Sequence, residues 1–134
     1  MSRRGASVRT WFLVDAAVTG VNALAYLGLR TLLPDVVGVP AGLYPAVGAF
    51  LLVVAVALLA VAQAETDLAA LGAVLTIVNV AWAAISIVVV PANPLRLTTL
   101  GLVWVVLQAA AVLAFGLLQL RALRAVPARA GAPA

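Results

Sequence analysis

The sequence contains no cysteine, no histidine and no lysine, and all eight of its basic residues are arginine. A Ser-His-Asp triad, a cysteine nucleophile, a Schiff-base lysine, a histidine-ligated haem and a zinc ion held by histidine or cysteine therefore all lack an essential side chain. The absence of cysteine also leaves the redox compartment unspecified. These absences favour a non-enzymatic protein with no cofactor and no metal ion.

Charge is also scarce. Only 9% of the 134 residues are charged and 66% are hydrophobic, whereas a soluble domain carries about 25% charged residues. The mean hydropathy is +1.24. Charge-free runs cover residues 36–64, 68–95 and 97–120, and a helix needs about 20 apolar residues to cross the hydrocarbon. A fourth stretch, residues 10–29, is interrupted only by Asp15.

These stretches predict an all-α fold, a bundle of four transmembrane helices in a single domain over residues 1–125. The proline-containing segments 33–42 and 91–94 predict a loop and a tight turn, because proline cannot continue a helical ladder. Thr66 is a candidate N-cap of the third helix, with Asp67 near its positive end. We expect residues 126–134 to form a frayed tail. The predicted spans are about 10–32, 43–63, 67–90 and 97–121.

The arginines predict the orientation. Six flank the two termini and two, Arg30 and Arg96, lie at the opposite ends of the spans. The positive-inside bias therefore predicts cytoplasmic N- and C-termini in a multi-pass protein of the cytoplasmic membrane, although the loop with Glu65 and Asp67 carries no arginine. The net charge of +4 favours anionic lipid headgroups as partners and no nucleic acid, since the arginines sit at membrane edges.

A cleaved secretory signal is an alternative for the N-terminus. Ser2-Arg3-Arg4 resembles the start of a twin-arginine signal, and residues 23–25 resemble a cleavage box. However, residues 5–7 lack a bulky apolar pair, and Asp15 interrupts the apolar region. The pattern favours a retained first helix.

Three of the four predicted helices carry a stripe of polar or small side chains at helical spacing. Such stripes favour the bundle interior over lipid, while the second helix is nearly all aliphatic and predicts a packing wall. The stripes are Asp15, Thr19, Asn22 and Tyr26 on the first helix, Gly72, Thr76, Asn79, Ala83 and Ser86 beside Trp82 on the third, and Gly101, Trp104, Gln108, Phe115 and Gln119 on the fourth.

The position of a residue along its helix predicts its depth in the membrane. Asn22, Asn79 and Gln108 are each expected about 18–20 Å from the cytoplasmic ends, near the midplane. Tyr26, Trp82 and Trp104 are expected just beyond them as an aromatic layer. Two interpretations remain open: the amides are interhelical packing contacts, or they line a pocket for a lipid, quinone or other apolar small molecule.

Asp15 is an ionisable residue well inside a predicted span, and such residues are usually functional. Thr19, Gln63, Gln119 or Arg121 are its candidate partners, the last by bending its stem inward from the interface. A structural role, proton coupling and partner docking all remain open. Glu65 and Asp67 supply too few oxygen ligands for a divalent cation and favour helix capping.

Four motifs of the chain carry a resemblance to known proteins: Asp15-Ala16-x-Val18-Thr19-Gly20-x-Asn22-Ala23-Leu24-Ala25-Tyr26-Leu27, Asn79-x2-Trp82-Ala83-x2-Ser86, Leu107-Gln108-Ala109 and Leu118-Gln119. With these motifs the chain resembles small, uncharacterised four-span integral membrane proteins of high-GC Gram-positive bacteria. The resemblance covers nearly the whole chain and implies a bacterial membrane protein, but no activity. Small multidrug pumps also keep an acid in the first helix. This chain departs from them in its arginine asymmetry and in having Ala16, Ala17 and Thr19 around the acid.

The sequence thus predicts a small integral membrane protein, non-enzymatic, with an accessory or scaffold role or an apolar-ligand-binding role. The alternative is a proton-coupled small-molecule transporter that uses Asp15. Expected partners are membrane lipids, with other membrane subunits or a homo-oligomer left open. No catalytic residues are predicted, and the candidate ligand-binding or polar-core residues are Asp15, Thr19, Asn22, Tyr26, Asn79, Trp82, Ser86, Trp104 and Gln108.

Overall fold

A computed structural model describes residues 3–64 and 68–125 of the chain, and every regular element within those ranges is a helix. Four of the helices contain segments long and apolar enough to cross a membrane. The protein is therefore an all-α, multi-pass membrane protein built as a four-helix bundle, as predicted. The helices are α1 (Arg3–Gly28), α2 (Leu33–Val37), α3 (Leu43–Gln63), α4 (Ala69–Ala92) and α5 (Thr99–Arg124).

The long helices form two antiparallel hairpins, α1 with α3 and α4 with α5, and contacts within each hairpin are more extensive than those between them. Small residues let the helices of the first hairpin approach closely, as is common in membranes. A Cβ on Gly48 would lie 2.8 Å from the side chain of Leu27, and one on Gly20 would lie 3.8 Å from Ala55. The aliphatic α3 is thus a packing partner of α1.

A compact apolar core joins α1, α3 and α4 at the end of the bundle where α1 begins. Phe12 and Leu58 are fully buried in it, together with Ala16, Ala62 and Leu75. Many other large apolar side chains lie on the outside, such as Val88, which is 72% exposed. This outward distribution suits a protein whose surroundings are hydrocarbon, since lipid imposes no penalty on exposed aliphatic groups.

The helix bounds differ from three of the four predicted spans, and 43–63 alone is reproduced. α1 begins at Arg3 and ends at Gly28, not at 10 and 32, and the hydroxyl of Thr10 donates to the carbonyl of Ala6 within it. Residues 3–9 form helix ahead of the apolar stretch because hydrophobicity marks the membrane crossing, whereas a helix extends into the interface wherever its backbone bonds continue.

The end of α4 also corrects the sequence prediction, because the helix runs through Pro91 to Ala92. Proline in the last turn forfeits one backbone hydrogen bond, and Asn93 then closes the helix in the left-handed conformation (φ 41°) with its N–H on Val89 O. α5 starts at Thr99, capped by the Thr98 hydroxyl, which accepts the Gly101 N–H at 3.0 Å. The predicted Thr66 cap, the acidic residues Glu65 and Asp67, and the 126–134 tail lie outside the described residues.

The segment predicted as a loop, residues 33–42, contains the short helix α2. Pro34 lies in its first turn, where its missing N–H has no helical partner to lose, and Gly38 (φ 96°) ends it. α2 is tied to the start of α5: the Thr98 hydroxyl donates to Val36 O at 2.6 Å and the Thr98 N–H to Val37 O at 3.0 Å. The chain between α1 and α3 therefore caps one end of the bundle.

Candidate functional site

Asp15 is the centre of a buried hydrogen-bond cluster that joins three helices. Its side chain is 0% exposed. The carboxylate accepts from the Thr19 hydroxyl at 3.0 Å, and its second oxygen accepts from Asn79 Nδ2 and from Gln119 Nε2, both at 2.6 Å. Thr19 lies one turn along α1, Asn79 on α4 and Gln119 on α5. We call Asp15, Thr19, Thr76, Asn79 and Gln119 the Asp15 cluster.

The amides of the Asp15 cluster are also bonded to one another. Asn79 Nδ2 donates to Gln119 Oε1 at 3.2 Å, and the Thr76 hydroxyl donates to Gly72 O at 2.9 Å and approaches Gln119 Oε1 at 3.4 Å. The lack of a side chain at Gly116 lets α5 pack closely against α4, because a Cβ there would meet Val80 Cγ2 at 3.0 Å. The fully buried Gln119 is thereby held with its amide directed at Asp15.

All three donors to Asp15 are neutral. Arg121, a predicted partner, is exposed, as is Gln63, and neither bonds to Asp15 in the described part of the chain. Thr19 and Gln119, the other two candidates, are observed partners, and Asn79 is a third partner that was not among the candidates. A carboxylate removed from water needs hydrogen bonds in place of its hydration shell. Three neutral donors supply them here, and no charged group of the described residues bonds to Asp15.

A second polar group lies toward the α2 end of the bundle. The hydroxyl oxygen of Tyr26 accepts from Trp104 Nε1 at 3.0 Å and from Gln108 Nε2 at 3.3 Å. The ring of Tyr26 meets that of Tyr44 edge to face, with centroids 5.7 Å apart. These contacts join α1, α3 and α5 at the predicted aromatic layer. Trp82 takes part differently, since it stacks on Phe50 with centroids 6.1 Å apart.

Asn22, Asn79 and Gln108, the amides expected at one depth, do not bond to one another. Asn79 reaches Asp15 and Gln119, Gln108 reaches Tyr26, and the Asn22 side chain has no partner among the described residues. The depths predicted from the sequence were counted from Thr10 as the start of α1. Counted from Arg3, Asp15 lies about 18 Å along α1, close to the roughly 15 Å of Asn79 along α4.

A cavity of about 200 Å³ lies between the two hairpins, beside Asp15. We call it the inner cavity. Asn22 and Gln108 contribute polar groups to its wall, and the remaining wall is mostly aliphatic and aromatic. Its lining residues are Asp15, Val18, Thr19, Asn22, Phe50, Leu51, Val54, Val78, Asn79, Trp82, Trp104, Leu107, Gln108, Ala111 and Val112.

A second cavity, of about 290 Å³, lies toward α2 and shares Trp82, Trp104 and Gln108 with the inner cavity. We call it the outer cavity. Val37 and Leu97, from the docked α2 and the start of α5, also line it. Together the two cavities reach the size of a small-molecule pocket, about 300–1,000 Å³.

The nine candidate residues predicted from sequence all line one or both cavities. Six of them belong to the inner cavity alone or to the outer cavity alone, and Trp82, Trp104 and Gln108 belong to both. Thr76, Gln119 and Tyr44 were not among the nine residues predicted from sequence. Gln119 carried a signal, since it shares the polar face of α5. Tyr44 carried a weaker one, as a lone phenol at the start of an otherwise apolar helix.

Within residues 3–64 and 68–125, no group of three or more histidine, cysteine or acidic residues could hold a metal ion. The side chains that line the two cavities offer hydrogen-bonding groups, the carboxyl group of Asp15 and apolar surface. Comparison with protein-family models, curated proteins and solved structures found no match to this chain.

Proposed function

We propose that the chain is a non-enzymatic accessory protein of the bacterial cytoplasmic membrane that binds a largely apolar small molecule between its two hairpins. The observation that carries the proposal is the pair of adjoining cavities, whose walls are apolar and aromatic with a few polar groups. Binding sites for small molecules usually combine apolar walls with a few well-placed polar groups.

The hydrogen bonding of the wall supports ligand binding over pure packing. Amides that serve only to join helices are expected to bond across the interface, as Asn79 and Gln119 do. Asn22 lines the inner cavity but has no partner among the described residues. An amide in that state can both donate and accept, which suits a carbonyl or hydroxyl on a bound molecule.

The absence of catalytic chemistry supports a non-enzymatic role. General acid-base catalysis needs titratable groups within hydrogen-bond reach of each other. The described partners of Asp15 are a hydroxyl and two amides. Membrane lipids surround this bundle in the proposed role, and a second copy or another membrane subunit is its candidate protein partner.

Binding is tested with a terminally brominated alkane, which quenches tryptophan fluorescence on contact. Trp82 and Trp104 line the cavities, and a Trp11→Phe background removes the third tryptophan. We expect saturable quenching, weakened about tenfold or more by Ala111→Phe, since the added ring fills the inner cavity.

The matched control for that experiment is Ala114→Phe. Ala114 lies on the same helix but is exposed on the outer surface, whereas Ala111 lines the cavity. Equal quenching in both variants would show contact from the surrounding micelle and contradict the proposal.

The second prediction concerns orientation, for which the cysteine-free chain is convenient. Ala6 and Thr31 are exposed near opposite ends of α1. In intact cells, a membrane-impermeant maleimide should label a Thr31→Cys variant and leave an Ala6→Cys variant unlabelled until the cells are permeabilised. The reverse labelling pattern would contradict cytoplasmic termini.

A proton-coupled small-molecule transporter is the second candidate. The observation in its favour is that Asp15 lines the inner cavity, where protonation could alternate with substrate contact. An Asp15→Asn variant separates the two functions, because an amide cannot titrate.

A further inference from the structure

Tyr44 is the feature of the outer cavity that the helix packing leaves unexplained. Its side chain is 3% exposed, and its hydroxyl is the one buried side-chain oxygen or nitrogen without a hydrogen-bond partner among the described residues. A buried hydroxyl without a partner loses its hydration and regains nothing. Such a group in a cavity wall indicates that something else completes it.

The surroundings of Tyr44 determine what that something must be. The backbone of Val39 lies near the hydroxyl but outside hydrogen-bonding geometry. An amide N–H at that position can only donate, so even a closer approach would leave the hydroxyl proton of Tyr44 without an acceptor. The missing partner is therefore a hydrogen-bond acceptor.

Among the described residues, the other polar groups of the outer cavity do not accept a hydrogen bond from Tyr44. The Ser86 hydroxyl donates to Trp82 O at 2.8 Å and makes no bond to Tyr44. The Tyr26 oxygen already accepts from Trp104 and Gln108, so it presents its own hydroxyl proton as a further donor. The hydroxyl proton of Tyr44 is therefore available to an acceptor on a bound molecule.

The lack of charged residues in the described lining of the outer cavity narrows the class of ligand further. No arginine, aspartate or glutamate occurs among the described residues that line the outer cavity. An anionic group would therefore enter without a countercharge, which is costly away from water. A neutral acceptor avoids this cost.

We propose that the outer cavity binds the carbonyl group of an uncharged apolar ligand, with the Tyr44 hydroxyl as its hydrogen-bond donor. This inference rests on the proposed ligand-binding function. The hydrocarbon part of the ligand extends past Trp82 and Trp104, which the two cavities share. A quinone and an acyl ester lipid both supply this chemistry.

The test compares two brominated probes of equal chain length, a methyl ester and an alkane, by quenching of Trp82 and Trp104 in the Trp11→Phe background. The ester should bind about three- to tenfold more tightly, the range expected for one neutral hydrogen bond. Tyr44→Phe should abolish this preference and leave alkane binding unchanged. Retention of the ester preference in Tyr44→Phe would overturn the proposal.

Ser86→Ala is the matched control, because it removes a hydroxyl from the same cavity that is already bonded to its own helix. It should keep the ester preference. The melting temperature of ligand-free Tyr44→Phe should not fall, since the hydroxyl has no hydrogen-bond partner among the described residues. A lower melting temperature with an unchanged ester preference would assign Tyr44 a structural role instead.

Competition identifies the source of the carbonyl. Displacement of the brominated ester by a decyl benzoquinone assigns a quinone, displacement by a monoacylglycerol assigns a lipid ester, and displacement by neither overturns the proposal. Failure of both brominated probes to quench would reject the proposed function itself. Equal quenching by both would reject only the role of the carbonyl.

Discussion

An Asp15→Ala variant is expected to lose about 2–3 kcal/mol of helix-association free energy, because two buried amide donors lose their common acceptor. Asn79 Nδ2 and Gln119 Nε2 each lie 2.6 Å from the same carboxylate oxygen. Interhelical hydrogen bonds in membranes contribute about 0.6 kcal/mol on average and up to about 1.7. Bonds to a charged acceptor belong at the upper end.

An opposing effect must be compared with this loss. A carboxylate near the bilayer centre costs about 2.5–3.5 kcal/mol on insertion scales, so the alanine variant should insert α1 at least as readily. That cost is present in the separated and in the assembled helices, and it largely cancels from the association step. The variant should therefore insert normally and assemble poorly, as measured by sodium dodecyl sulfate titration in mixed micelles.

Asp15→Asn is the matched control. Its amide oxygen can accept from Asn79 and Gln119 while its NH₂ group faces the Thr19 oxygen, so the geometry survives and only the charge assistance is lost. We expect a loss of about 1 kcal/mol. A loss as large as that of Asp15→Ala would show that charge, and not acceptor geometry, holds the cluster.

The same variant separates the two candidate functions. A proton-coupled transporter should lose proton-dependent flux in Asp15→Asn while remaining folded, because an amide cannot titrate. A ligand-binding accessory protein should retain its quenching by the brominated alkane and show only the stability change. Loss of flux in the folded variant would favour the transporter.

A Gly101→Ala variant should be destabilised by about 2 kcal/mol through the release of α2 from α5. A Cβ at Gly101 would overlap the backbone oxygen of Val37, and only movement of the backbone could relieve this overlap. That movement would break the bonds from Thr98 to Val36 and Val37. The gain in helix propensity, up to about 1 kcal/mol, is too small to offset both losses.

Substitutions at two further glycines should cause smaller losses of stability than Gly101→Ala. Gly42 has nothing within 4 Å of an added Cβ, so Gly42→Ala should stay within about 0.5 kcal/mol of the wild type. At Gly116 the contact is the side chain of Val80 at 3.0 Å, which can rotate, so the effect should be intermediate. Hydrogen exchange over residues 33–39 should rise in Gly101→Ala alone. Unchanged exchange there would contradict the docking of α2.

Much of the interior was predictable because burial follows helical period. Gly72, Thr76, Asn79, Ala83 and Ser86, the stripe predicted for the third span, are all buried on α4. The side chains with which they pair were less predictable. Gln119 meets Asp15 because Gly116 brings α5 close to α4, and the close approach of two backbones depends on both helices at once.

The start of α1 shows how one local error propagates. Apolar composition marks where a helix enters hydrocarbon, so the interfacial residues 3–9 carried no signal. Setting the start at Thr10 shifted every depth on α1 by about 10 Å. Counted from Thr10, Asp15 lies only about 8 Å along the helix, well short of Asn79, to which it bonds.

Local properties of the chain specify the membrane class, the four long apolar helices and the inward face of α4, because hydropathy and the helical period are set within each segment. On α5 the period was less decisive, since Trp104 of the predicted inner stripe is 37% exposed. The partners of Asp15, the docking of α2 on Gly101 and the unpartnered hydroxyl of Tyr44 arise from the relative sliding and close approach of helices far apart in sequence. Sliding by a single turn, about 5.4 Å, exchanges one hydrogen-bond partner for another, and no property of one segment determines it.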